Sequence, residues 1–298
     1  MKARRAELAL AGMTVVWGTT FVLVKGALAD VSTILFLTLR FTLAAVVLAL
    51  LYRTAVRRQV RSWRALGPGA LAGGLLFGAF VLQTAGLKLT TASKSAFLTG
   101  LSIPMVPLAS SLVYRIKPRM FEVAGVLIAS LGMALMTLPT ERFEMSRGDG
   151  LSFLCAVGFA LHIVVVSHYT PLMGFESVAV LQVVMAAVLG LAAFGWVEPV
   201  VFHLSAAAGW AVVITGLFGT ALGFTTMSWA QQYTSATRTA LIFALEPVVA
   251  WLTSWFLTGE TMPLRGRIGA ALILAGIVLV EVRRPSQAET AEVVTAST

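Results

Sequence analysis

Long apolar stretches alternate with short polar ones along the chain. Apolar runs occupy residues 7–26, 32–52, 66–87, 93–114 and 121–139, and a second series follows at 150–168, 175–196, 207–230, 234–257 and 265–282. Each is close to the ~20 residues that a helix needs to cross a hydrocarbon layer. Charge, Pro or Gly bounds every run, and most connections are short. The pattern predicts an all-α integral membrane protein with ten transmembrane helices. Its most loop-like interruption, LPTERFEMSRGDG at 138–150, falls between the fifth and sixth spans. From Arg283 onward, RRPSQAETAEVVTAST is polar and aperiodic, which predicts a disordered tail over 283–298.

The two series are related. TTASKSAFLTG at 90–100 returns as TSATRTALIFA at 234–244, so that Thr90/Thr234, Ala92/Ala236, Ala96/Ala240 and Leu101/Leu245 are identical at an offset of 144. The same offset pairs Gly125 with Gly269 and Gly132 with Gly276. A constant offset over separate stretches marks an internal repeat, with residues 1–144 and 145–282 as the expected halves. Five spans is an odd number, so the second half enters the membrane from the opposite side and the halves are inverted. Two similar halves packed oppositely can exchange conformations and alternate access, which is why transporters use inverted repeats.

Composition agrees with a membrane setting: 58% of residues are hydrophobic and 12% charged, with a mean hydropathy of +0.89, against about 25% charged in soluble domains. The net charge of +9 sits in short clusters, with no basic helix or aromatic-interleaved patch, so nucleic acid is not an expected partner. With the N-terminus inside, cytoplasmic segments hold 14 of the 22 Lys and Arg and external ones 7, while Arg40 lies within a span. That excess predicts N-in and C-in, in a bacterial cytoplasmic (inner) membrane. Cys155, the one cysteine, excludes an intramolecular disulfide and reads as a packing residue. The first run is too long for a signal-peptide core and is expected to remain as a span.

VVWGTTFVLVKG (15–26), FLTLRFTLA (36–44), TTASKSAFLTGLSIP (90–104) and TSATRTALIFALEPVVAWLTSWFLTGE (234–260) resemble the drug/metabolite transporter superfamily, EamA type, and within it the amino-acid exporters, including the aromatic amino-acid exporter. The resemblance covers residues 7–282. It implies ten helices, inverted five-helix halves, a central cavity lined by helices one to four and six to nine, and export of small metabolites. The sixth span, with GFALHIVVVSH, departs from the family pattern in lacking a Trp-Gly pair.

Glu246, in FALEPVV, is the only carboxylate deep in a span. A charge at the bilayer centre costs at least ~2.5 kcal/mol, so it is expected to face a cavity or a partner. It either contacts a substrate ammonium or carries a proton, or it hydrogen-bonds backbone freed by Pro247. Arg40 is the mirror problem in span two. It either holds a substrate carboxylate or, as the favoured reading, clamps helices through backbone carbonyls; whether it meets Glu246 is left open. Pro104 and Pro247, 143 residues apart, each remove an intrahelical hydrogen bond, which makes them hinge candidates with a static kink as the alternative. Pro107 adds a break with no counterpart in span nine.

His162, Gln83 and Gln182 are further polar groups inside spans. A lone His is a poor metal site, and no metal or cofactor is expected. Trp17, Phe21, Phe97, Trp229, Tyr233 and Phe243 are candidate cavity walls, with lipid-facing or interfacial anchoring as the plainer reading. LAGGLLFGAF and ITGLFGTALG read as close helix contacts rather than phosphate cradles.

Together these features predict a secondary transporter, and not an enzyme, that exports small amphipathic metabolites, most of all amino acids. Its partners are that small-molecule substrate and membrane lipid, and a homodimer is allowed. A broad drug or nucleotide-sugar carrier is the alternative within the class. Outside it stands a non-transporting sensor or membrane enzyme, but His162, His168 and His203 offer no HExxH spacing, and the tail is too short for an output domain.

Overall fold

The computed structural model describes residues 2–54, 57, 63–90, 92–138, 146–203, 205–258 and 263–282. The expected tail and most of the loop between spans five and six lie outside them. Among the described residues the molecule is helical, with one isolated bridge between Val31 and Phe202. Helices α1 (Lys2–Ala27), α2 (Thr33–Leu51) and α3 (Trp63–Leu89) follow the first three apolar runs. The fourth run is two helices, α4 (Ala92–Gly100) and α5 (Ser102–Tyr114), and the fifth is α6 (Met120–Thr137). Helices α7 (Arg147–Met173) and α8 (Phe175–Ala193) take the next two. The eighth comprises α9 (Ala206–Ile214), a π-helix π1 (Thr215–Leu222) and α10 (Gly223–Ala230). The ninth is divided into α11 (Ala236–Phe243) and α12 (Glu246–Thr258), and α13 (Leu264–Val282) is the tenth.

Eight of these segments are long and apolar enough to cross a membrane, the last being Ala206–Ala230. The ninth run is not among them, nor is α13, which carries Arg265, Arg267 and Glu281. Burial is arranged for hydrocarbon rather than water. Leu112 and Met120 are more than four-fifths exposed, at 82% and 83%, whereas Arg40, His162, Gln182, Thr215, Thr220 and Ser228 are buried. Polar groups inside and apolar ones outside suit a solvent that cannot hydrogen-bond.

Local chemistry sets the helix ends and breaks. Ser146 caps α7 by accepting from the Asp149 N–H at 3.1 Å, and Asp149 returns the bond to the Ser146 N–H at 2.8 Å. Ser205 and Ser235 cap α9 and α11 by the hydroxyl alone, accepting from the Ala208 and Arg238 N–H groups. Pro104 and Pro247 each leave the carbonyl four residues earlier, on Gly100 and Phe243, without its helical donor. The fourth run accordingly turns at Leu101 and the ninth at Ala244 and Leu245.

Helices α6 and α13 cross through glycines. A Cβ on Gly132 would lie 2.5 Å from the Gly269 carbonyl oxygen, and one on Gly276 would lie 2.5 Å from that of Gly125. Only a Cα hydrogen admits such an approach. These are the four glycines paired by the 144-residue offset, and they meet crosswise. At one end of the bundle, the α1–α2 connection is tied to the α8–α9 connection. The Ser32 N–H donates to the Val201 carbonyl at 2.9 Å, the His203 N–H to that of Asp30 at 2.8 Å, and the Ser205 hydroxyl to the Asp30 carboxylate at 2.5 Å.

Candidate functional site

Arg40 sits in the middle of α2 and is 3% exposed. Its Nε donates to Thr220 Oγ1 at 2.6 Å, and that hydroxyl donates onward to the Thr215 carbonyl, five residues back, at 2.9 Å. This five-residue reach belongs to the wider turn of π1, a form concentrated at functional sites. The Trp17 indole from α1 donates to the Gly219 carbonyl of the same turn at 2.7 Å. A Cβ on Gly223 would come within 3.0 Å of the Trp17 ring, so glycine lets the indole lie against the helix. Two side chains from the first half of the chain therefore grip one irregular turn in the second half.

An aromatic cluster encloses this grip. The guanidinium lies 4.4 Å from the centre of the Phe80 ring, a cation–π contact that partly replaces lost hydration. Phe80 meets Phe41, Phe159 and Phe224 at ring separations of 5.5, 5.2 and 6.1 Å. Trp17 meets Phe224 at 5.8 Å and Phe243 at 5.0 Å. Side chains from six of the ten apolar runs, the first three and the sixth, eighth and ninth, converge here. Among the described residues no carboxylate lies within ion-pair distance of Arg40, and its hydrogen bond to Thr220 is its only one. Among the described residues the guanidinium bonds a hydroxyl rather than a backbone carbonyl, and through it ties α2 to π1.

A second polar chain adjoins the cluster. His162 and Gln182 are buried and lie 2.6 Å apart, Nε2 to Oε1. A carbonyl oxygen only accepts, so the imidazole donates. The Gln182 amide then donates to Ser228 at 3.1 Å. His162 also packs edge-on against Phe224 at 5.6 Å, which links the two chains. Among the described residues no group of His, Cys, Asp and Glu could hold a metal ion.

The other sequence candidates are distributed more widely. Glu246 is the first residue of α12, directly after the break, and half-buried. It makes no hydrogen bond or ion pair among the described residues, and Arg40 is not its partner. Trp229 and Tyr233 pair with each other at 5.7 Å, and Lys2 lies over the Tyr233 ring, so they belong to the end bearing the N-terminus. Gln83 and Phe97 are half-buried in α3 and α4. The side chain of Phe21 lies outside the described residues. Thr220, Phe80, Phe159 and Phe224 join the cluster without having been singled out by sequence. The nearest signal was ITGLFGTALG, whose glycines do make the expected close contacts.

The chain is similar to known proteins over nearly its whole length. A model of the EamA-like transporter family matches residues 4–138 and again 146–282. An uncharacterized transporter of Archaeoglobus fulgidus is 30% identical over 283 residues, covering 95% of this chain and 88% of that protein. The uncharacterized transporter YyaM of Bacillus subtilis is 26% identical over 295 residues, covering 93% and 94%. A crystal structure superposes with a TM-score of 0.73 at 21% identity, over 94% of this chain and 97% of the other, a likeness of fold.

Proposed function

The chain belongs to the EamA-like transporter family, and from that membership we infer that it is a secondary transporter exporting small amphipathic metabolites, amino acids first among them, by alternating access through a central cavity. We read it as ten transmembrane helices in two inverted halves, with both termini cytoplasmic, in a bacterial inner membrane. The observation that carries the reading is Arg40, a buried cation stacked on Phe80 and held through Nε, with no carboxylate partner among the described residues. A planar guanidinium held along one edge offers the other to a carboxylate in two parallel hydrogen bonds. The surrounding rings suit an apolar or flat side chain, and Glu246, which has no partner among the described residues, suits an ammonium. Amino acids, aromatic ones included, carry all three features.

Two further observations support the inverted halves. The glycine contacts exchange partners under the 144-residue offset, as a two-fold axis between antiparallel α6 and α13 requires. Such an axis lies across the helices, not along them. The broken segments also turn at equivalent positions, Leu101 and Leu245, which gives each half one bend for a rocking motion.

Purified protein in liposomes, tested against amino acids, nucleotide sugars and neutral drugs, is the experiment. Amino-acid exchange is expected, with Arg40→Lys retaining part of it. Arg40→Gln should lower exchange at least ~10-fold more for amino acids than for their amides. Flux of nucleotide sugars or drugs without amino acids would overturn the substrate, and no flux of any would overturn the transport reading.

A further inference from the structure

At the end of the molecule bearing the N-terminus, a cleft of about 380 Å³ opens between α1, α11 and α13. That volume lies within the range of small-molecule sites, ~300–1,000 Å³. Its walls are graded in the same sense on all three helices. On α1, Arg4 and Glu7 come before Leu8 and Ala11; on α11, Arg238 comes before Leu241 and Ile242; on α13, Val280 gives way to Glu281 at the tip. The cleft thus has a charged outer tier and an apolar inner tier. Leu8, 65% exposed, stands at its lip and faces the surroundings of the bundle, so the inner tier opens toward hydrocarbon.

The charged tier holds both signs. Arg238 reaches Glu122 of α6 at 3.3 Å and Glu7 at 3.8 Å, and Arg4 and Glu281 are exposed on the rim. A guanidinium can bind a phosphodiester through two donors while a carboxylate keeps other contacts, because each oxygen accepts more than once. A soluble phosphate would leave the apolar tier unused. An anionic glycerolipid would set its headgroup against two carboxylates, and a quaternary ammonium has no N–H to offer them.

We propose that this cleft binds an aminophospholipid of the phosphatidylethanolamine class. The phosphate lies on Arg4 and Arg238, the primary ammonium on Glu7 and Glu281, and the first acyl methylenes on Leu8, Ala11 and Leu241. The headgroup then sits against the side chain that ties α11 to α1 and α6, at the start of the broken ninth segment. The proposal depends on membrane insertion but on no transported substrate.

Native mass spectrometry of the purified full-length protein, incubated with phosphatidylethanolamine against phosphatidylcholine and then phosphatidylglycerol, tests it. One phosphatidylethanolamine should be retained in roughly fivefold or greater excess over either competitor. Glu281→Gln and Arg4→Gln, both at exposed positions, should each reduce that excess toward parity in protein that remains folded by circular dichroism. Equal retention of the ethanolamine and choline lipids, an excess of the glycerol lipid, or an undiminished preference in both variants would overturn the proposal. Displacement by soluble phosphoethanolamine at matched concentration would reassign the cleft to a headgroup-sized solute, and the lipid would be the wrong ligand.

Discussion

Arg40 keeps a delocalised cation where hydrocarbon normally excludes one, and the described residues around it supply a ring face and a hydroxyl but no countercharge. Glu246 is the complementary case, a carboxylate at the first turn of α12, where the helix dipole favours negative charge. Glu246→Gln keeps the shape and removes the ionisable site. If Glu246 holds a substrate ammonium, exchange in liposomes should fall, and more for amino acids than for neutral analogues. If it carries protons instead, exchange at equal pH should persist while acceleration by a pH gradient disappears. Wild-type behaviour on both counts, with normal folding, would make Glu246 a structural residue. Arg40, His162 and Glu246 are legible in sequence because an ionisable group within an apolar run stands out from its neighbours. Phe80, Phe159 and Phe224 are not, because a membrane helix is apolar on its lipid face and its inner face alike. Without an amphipathic contrast, sequence cannot say which aromatics turn inward.

The fourth and ninth segments carry the conformational hypothesis. Each turns within three residues before a proline, and the turns are equivalent in the two halves. Replacing Pro104 or Pro247 with Ala restores a backbone donor and should straighten its segment, since an interior proline costs a helix ~3 kcal/mol or more. Cysteine accessibility at the two cavity mouths should then shift in opposite senses for the two variants. Unchanged accessibility and transport would make both prolines static kinks. At this scale the apolar runs announce nearly every helix, and Pro104 and Pro247 announce the two breaks, whereas Pro107, expected to add another, lies inside the unbroken α5. The π-helix is hidden because its wider turn uses residues that an α-helix would accept equally well. The contacts that single it out are tertiary: the Trp17 indole on its Gly219 carbonyl and the Arg40 guanidinium on its Thr220 hydroxyl.

For the molecule as a whole, orientation rests on the distribution of Lys and Arg. A cysteine introduced near Arg142 should label from outside intact cells, and one near Arg58 only after permeabilisation; the reverse pattern would reverse the direction of export. The repeat is legible from the 144-residue offset, but the meeting of its glycines is not, since similarity between two stretches does not say that they touch. That meeting makes one half the binding partner of the other, across a contact in which backbone lies on backbone. If that contact suffices to hold the halves together, covalent continuity through residues 139–145 is dispensable. Two separate reading frames, ending and restarting within that stretch, should yield fragments that co-purify and recover activity when expressed together. Either fragment expressed alone would present a bare glycine groove to lipid and should be degraded.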